Sequence, residues 1–81
     1  MYVLQVKGIE RDKMEKFRVA FEQFLVEGDR FIYNEKEQRM EVRCTLWTVY
    51  ADVRNAVLDH RWVVRMRGGE CNWDVIEDDK V

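Results

Sequence analysis

What most constrains this chain is the order in which two hydrophobic periods follow one another. Apolar residues alternate from Met1 to Lys7, which sets Tyr2, Leu4 and Val6 on one face of a strand. Gly8 ends that run. Met14, Phe17, Phe21, Phe24 and Leu25 then recur at helical steps, and predict an amphipathic helix over Lys13 to Glu27. Asp12 with Glu15 reads as its capping box, and Gly28 as its stop. Two alternating runs follow, Arg30 to Asn34 and Arg39 to Thr45, joined by the polar segment 34–38 as a hairpin. Met40, Val42 and Cys44 are expected inward, and Arg39, Glu41 and Arg43 outward.

From Leu46 the period lengthens again. Leu46, Val49, Tyr50, Val53, Ala56 and Val57 share a helical face that predicts a second helix to about His60, capped by Thr45 or Thr48. Arg61 to Arg67 alternates once more, with Trp62, Val64 and Met66 inward and Arg61, Val63, Arg65 and Arg67 outward. Gly68-Gly69 is expected to reverse the chain into a last strand over Asn72 to Glu77. Strand-helix-strand-strand-helix-strand is the split βαβ order of a ferredoxin-like sandwich. The expected class is therefore α+β, with both helices on one face of an antiparallel sheet and an extra C-terminal strand. That fold hosts many unrelated functions, so it speaks to shape alone.

Eighty-one residues suffice for one domain, here 1–77, with 78–81 as an acidic tail. A chain this short compensates for its size with aromatic bulk, in three Trp, three Tyr and four Phe. At 47% hydrophobic and 37% charged residues, it has the composition of a folded protein rather than a disordered one. The formal charge is −2, which argues against a non-specific grip on nucleic acid. Charge is nonetheless unevenly spread, with six Arg against three acids over 39–67 and five acids against one Lys over 70–81.

Several chemistries lack their residues. His60 is the single histidine, and with Cys44 and Cys71 far apart in sequence it makes a poor zinc set. No phosphate-cradling glycine motif occurs. After Val6-Lys7-Gly8, the acids Glu10 and Asp12 stand where an anion would have to sit. Neither an enzyme nor a cofactor is expected. Two unpaired thiols, no basic-then-apolar leader and no apolar run of about 18 residues together suggest a cytoplasmic protein, off the membrane.

The remaining candidate is surface. If the helices cover one sheet face, the other carries Gln5 and Lys7, Arg39 and Arg43, and Arg65 and Arg67. Phe31 and Tyr33 join them on the same alternation. Trp47, off the apolar stripe, is the expected exposed anchor, since Trp and Arg dominate binding hot spots. Lys7, Arg39, Arg43, Trp47, Arg65 and Arg67 are accordingly the predicted partner-binding residues. They suit a small non-enzymatic regulator or inhibitor, of the kind phages often encode, that occupies a larger protein. Homodimerisation through the open sheet is a variant. The alternative is single-stranded RNA binding by arginines and the rings of Phe31 and Tyr33, although the third strand lacks the Gly- and aromatic-rich run of RNA-recognition modules. A solvated wall whose arginines pair with Glu41 is the bland alternative. On this register Met66→Asp should collapse the fold, while charge reversal at Arg65 and Arg67 should not.

Overall fold

The computed structural model describes residues 1–69, 71 and 73–78. Its elements run β1 (Tyr2–Lys7), α1 (Arg11–Phe21), β2 (Arg30–Asn34), β3 (Arg39–Cys44), α2 (Trp47–Met66) and β4 (Asp74–Asp78). The four strands form one antiparallel sheet in the order β2-β3-β1-β4. Its central register sets Tyr2 against Cys44, Leu4 against Val42 and Val6 against Met40. These pairs line the face that both helices cover. Met14, Phe17 and Phe21 of α1, with Val49, Tyr50, Val53 and Val57 of α2, join Leu4, Val6, Met40, Val42 and Cys44 in one core cluster. The inward assignment of Met40, Val42 and Cys44 holds, because an antiparallel pair shares one pleat along its length.

Helix α1 begins at Arg11 rather than Lys13 and ends at Phe21, with Glu10 as its N-cap and no side-chain cap bond. The capping box of Asp12 and Glu15 does not form, since Glu15 instead takes Arg18 at 2.8 Å. The helix stops well before Gly28 because the amides of Phe24 and Leu25 both turn back to the Phe21 carbonyl, at 2.8 and 3.0 Å. Phe24 and Leu25 still pack against the core from that turn. Asp29 then ties the loop to the start of α2. Its Oδ1 accepts the Thr45 amide at 2.9 Å and the Thr45 hydroxyl at 3.1 Å, and its Oδ2 accepts the Val26 amide at 2.9 Å. Thr45 is therefore an Asp29 partner, and Leu46 holds the N-cap position of α2 without a side-chain bond.

The largest correction lies at Arg61–Arg67, expected as the fourth strand. Those residues are helical: α2 runs unbroken for 20 residues from Trp47 to Met66. No Gly or Pro stands between Leu46 and Gly68, so nothing in the sequence stops a helix once it is nucleated. Gly68-Gly69 is the helix terminus and not a hairpin turn. Gly68, at φ +80°, donates its amide to the Arg65 carbonyl at 3.0 Å, and the Gly69 amide reaches the Val64 carbonyl at 2.9 Å. Only glycine takes that left-handed φ without a Cβ penalty. The sheet consequently has four strands among the described residues, with no fifth. The expected last strand is the fourth, paired along β1 from Lys7 opposite Asp74 to Val3 opposite Asp78. Of the expected tail, Asp78 belongs to β4, and 79–81 lie outside the described residues.

Length mismatch follows. Twenty helical residues span about 30 Å, while six strand residues span about 20 Å. All the buried residues of α2 fall between Val49 and Val57. The last turns run past the sheet, and Trp62 and Met66, expected inward, stand 64% and 67% exposed.

Candidate functional site

The six predicted partner-binding residues fall in three separate places. Lys7, Arg39 and Arg43 share the open sheet face, as expected, in cross-strand rows with Asn34, Asp74 and Arg30. The two arginines each have a carboxylate nearby. Arg39 pairs with Glu37 at 3.0 Å, and Lys7 lies opposite Asp74 in the register. Arg43 Nε sits 3.4 Å from Glu41 Oε2, in ion-pair range but without hydrogen-bond geometry, and is itself shielded from solvent. Each such exposed pair is worth at most about 1 kcal/mol, and Arg30, in register with Arg43, adds a further cation to the same face.

Phe31 and Tyr33 are on the opposite face from the one expected. Phe31 is in register with Val42 and Tyr33 with Met40, so both rings turn toward the helices and Ile32 turns outward. Phe31 meets the Phe21 ring, and the Tyr33 hydroxyl donates to the Ile9 carbonyl at 2.9 Å. The run Arg30 to Asn34 alternates perfectly either way, so only the partner strand decides its face. Base stacking on the open sheet therefore loses the two rings it was built on.

Trp47 opens α2 and is 44% exposed, but it is engaged. Its ring meets Tyr2 edge-on at 5.6 Å and Tyr50 at 5.3 Å, and the Arg54 guanidinium lies 5.3 Å from its centroid. Arg54 also reaches Glu77 of β4 at 3.9 Å. Trp47 thus caps the core at one end of the sheet while keeping an open edge.

His60, expected at a helix end, lies within α2 instead. Its ring stacks on Trp73 at 5.5 Å and 6°, and Phe17 meets it edge-on at 5.3 Å. Burial, followed by the charges of Lys13 and Lys16, holds its pKa below the usual imidazole value. A groove of about 250 Å³ opens beside it, lined by Lys13, Lys16, Phe17, Ala20, Ala56 and His60. Cys44 is wholly buried, and burial pushes its thiol up to about 11, with the Asp29 carboxylate adding to the effect. A thiol with that pKa is no nucleophile near neutral pH.

Arg65 and Arg67 belong to the projecting end of α2, and the structure adds neighbours that strand alternation conceals. Leu58, Trp62 and Met66 stand at i, i+4 and i+8, all exposed, and form a single apolar ridge. Arg61 and Arg65 stand one position earlier at the same spacing, and so run alongside it. Among the described residues neither Arg65 nor Arg67 has a carboxylate in ion-pair range. The signal was present in sequence: Leu58 extends the Trp62-Met66 pair backwards at helical spacing, which a strand beginning at Arg61 does not explain. Among the described residues no group of three or more His, Cys, Asp and Glu is placed to hold a metal, and no helix is long and apolar enough to cross a membrane. No family model matches the chain, and neither a curated protein nor a solved structure matches it.

Proposed function

We propose that this is a protein-binding module that docks the projecting end of α2 into an apolar cleft rimmed by acids on a larger protein. The exposure of Trp62 carries the reading. An indole 64% exposed at the centre of a ridge with Leu58 and Met66 leaves a large apolar side chain in water, where the fold gains nothing from it. Trp, Met and Arg are the residues enriched at the cores of protein interfaces. An amphipathic helix laid into a groove through i, i+4 and i+8 anchors is a recurring recognition mode. Arg61, Arg65 and Arg67, with no acid between them, set the charge of the partner. The action is non-enzymatic: the module regulates or inhibits by occupying its partner's cleft.

The scaffold of this reading is a ferredoxin-like sandwich. Strand order β2-β3-β1-β4, with β3 between β1 and β2 and with β1 between β3 and β4, is what two interlocked split βαβ units produce. Two unpaired thiols, Cys44 and Cys71, suit a reducing compartment such as the cytoplasm.

A photo-crosslinking residue placed at Trp62 or Met66, in lysate of the cell the protein comes from, tests the docking surface. One protein of fixed mass should be captured from both sites, and none from the same residue at Lys36 in the β2–β3 loop. Added Arg65→Glu/Arg67→Glu protein should compete less well than the unaltered chain. Equal capture at Lys36, or none at Trp62 and Met66, would overturn the reading.

A further inference from the structure

The two edges of the sheet are unlike. Strand β4 closes one side with three acids in five residues, Asp74, Glu77 and Asp78. Charges of one sign along an edge are a common defence against pairing with another chain. Strand β2 closes the other side as Arg-Phe-Ile-Tyr-Asn, with one charge, no proline and no bulge. Among the described residues no strand or loop backbone bonds to its outer side. Its register with β3 is regular throughout, from Arg30 opposite Arg43 to Asn34 opposite Arg39. Ile32 stands 43% exposed on the open face. This edge is undefended.

We infer that a second copy of this chain covers it: β2 pairs antiparallel with β2 of a second molecule about a two-fold axis at Ile32, and makes one eight-stranded sheet. The sequence of β2 is self-complementary in that register. Ile32 meets Ile32 of the second copy on the open face. Phe31 falls opposite Tyr33 twice on the helix face, where aromatic cross-strand pairs stabilise a sheet. Arg30 falls opposite Asn34 twice, so no like charges meet. The two-fold operator makes such a contact close at two copies. A head-to-tail contact of β2 with β4 is complementary in charge, but it would extend without closing. The inference does not rest on the docking of α2, which uses other residues. It would make that docking bivalent.

Sedimentation equilibrium of the purified protein, without partner, tests this. The mass should rise with concentration from one chain to two and stop there. Ile32→Lys, which sets two ammonium groups face to face on the axis, should weaken the dimer by at least about tenfold and leave the circular dichroism unchanged. Asn34→Asp should tighten it by giving each Arg30 a carboxylate, and Asn34→Lys should loosen it. Trp62→Ala should leave the mass unchanged. A chain monomeric at every concentration would overturn the inference. Growth beyond two chains would overturn it in favour of the β2–β4 contact, and loss of association in Trp62→Ala but not in Ile32→Lys would assign it to α2.

Discussion

Trp47–Val57 and Leu58–Met66 are two halves of one uninterrupted helix, yet only the first has fully buried side chains. The second touches the core chiefly through half-buried His60 against Phe17 and Trp73. In the first half Val49, Tyr50, Val53 and Val57 are all buried, with Tyr50 among the largest fully enclosed side chains of the protein. In the second half no residue is buried, although Leu58, Trp62, Val63 and Met66 are as apolar as anything in the first. Burial of a Val or Leu side chain is worth about 1.5–3 kcal/mol, and the second half forgoes it. It stays helical because propagation from a formed helix is cheap, and because Gly68 and Gly69 close its end. The lesson is that a continuous helix can divide its work: one half makes the fold, and the other is carried by it.

Substitution should separate the halves. Val53→Asp buries an unpaired carboxylate in the core and should unfold the protein, losing several kcal/mol in a denaturant titration. Met66→Asp places the same group in solvent at a helix C-terminus, where opposing the dipole costs under about 1 kcal/mol. That reverses the expectation from strand alternation, in which Met66→Asp collapses the fold. If Met66→Asp unfolds the chain as Val53→Asp does, the two halves are not different in kind.

The end caps give intermediate effects. Trp47→Ala removes ring contacts to Tyr2 and Tyr50 and the Arg54 cation, and should cost about 1–2 kcal/mol. Gly68→Ala forces a side chain into φ +80° and should cost about 1 kcal/mol. Its effect should appear as faster amide exchange over Trp62 to Arg67, with the first half of α2 unaltered. Uniform acceleration along α2 would mean that the helix opens as one unit.

Alkaline pH probes the buried half alone. In the folded protein burial pushes the Cys44 thiol up to about 11, from an ordinary value of 9.0. The stability this group contributes is full below 9.0 and is lost as pH rises through about 11. Tyr33, raised chiefly by burial, acts in the same direction. Urea midpoints should therefore fall between pH 9 and 11, and fall less in Cys44→Ala. A flat profile over that window would contradict the burial of Cys44.

The sequence disclosed what periodicity can disclose. The faces of β1 and β3, the central part of each helical stripe and the β2–β3 hairpin follow from spacing. Leu46, expected in the second stripe, is instead the exposed N-cap of α2, and Phe24 and Leu25 lie past the end of α1. Spacing misplaced the helix ends, where neither the Asp12–Glu15 box nor a threonine cap forms, and it left two runs ambiguous. Arg30 to Asn34 alternates equally well with Phe31 and Tyr33 in or out, so its face is fixed by β3 and not by its own residues. Arg61 to Arg67 fits both periods, because Trp62 and Met66 are four apart and Val63-Val64 breaks neither pattern. There the deciding fact was the missing breaker before Gly68. The candidate site suffered accordingly: Arg65 and Arg67 were rightly placed in solvent but on the wrong element, apart from Lys7, Arg39 and Arg43.

The smallest expected effect on stability is at Trp62. Trp62→Ala should change stability by no more than about 0.5 kcal/mol, as surface substitutions do, while weakening partner binding severalfold or more. Loss of stability comparable with a core truncation, about 3 kcal/mol or more, would mean that Trp62 belongs to the fold.

Most direct is residue-resolved NMR of α2 in the free protein, with Cα secondary shifts and amide exchange read along Trp47 to Met66. Helical shifts should run without a break to Met66, and strong protection over Val49 to Val57 should fall steeply from Leu58 onward. Extended shifts over Arg61 to Arg67, or protection undiminished to the end of the helix, would contradict that division of α2.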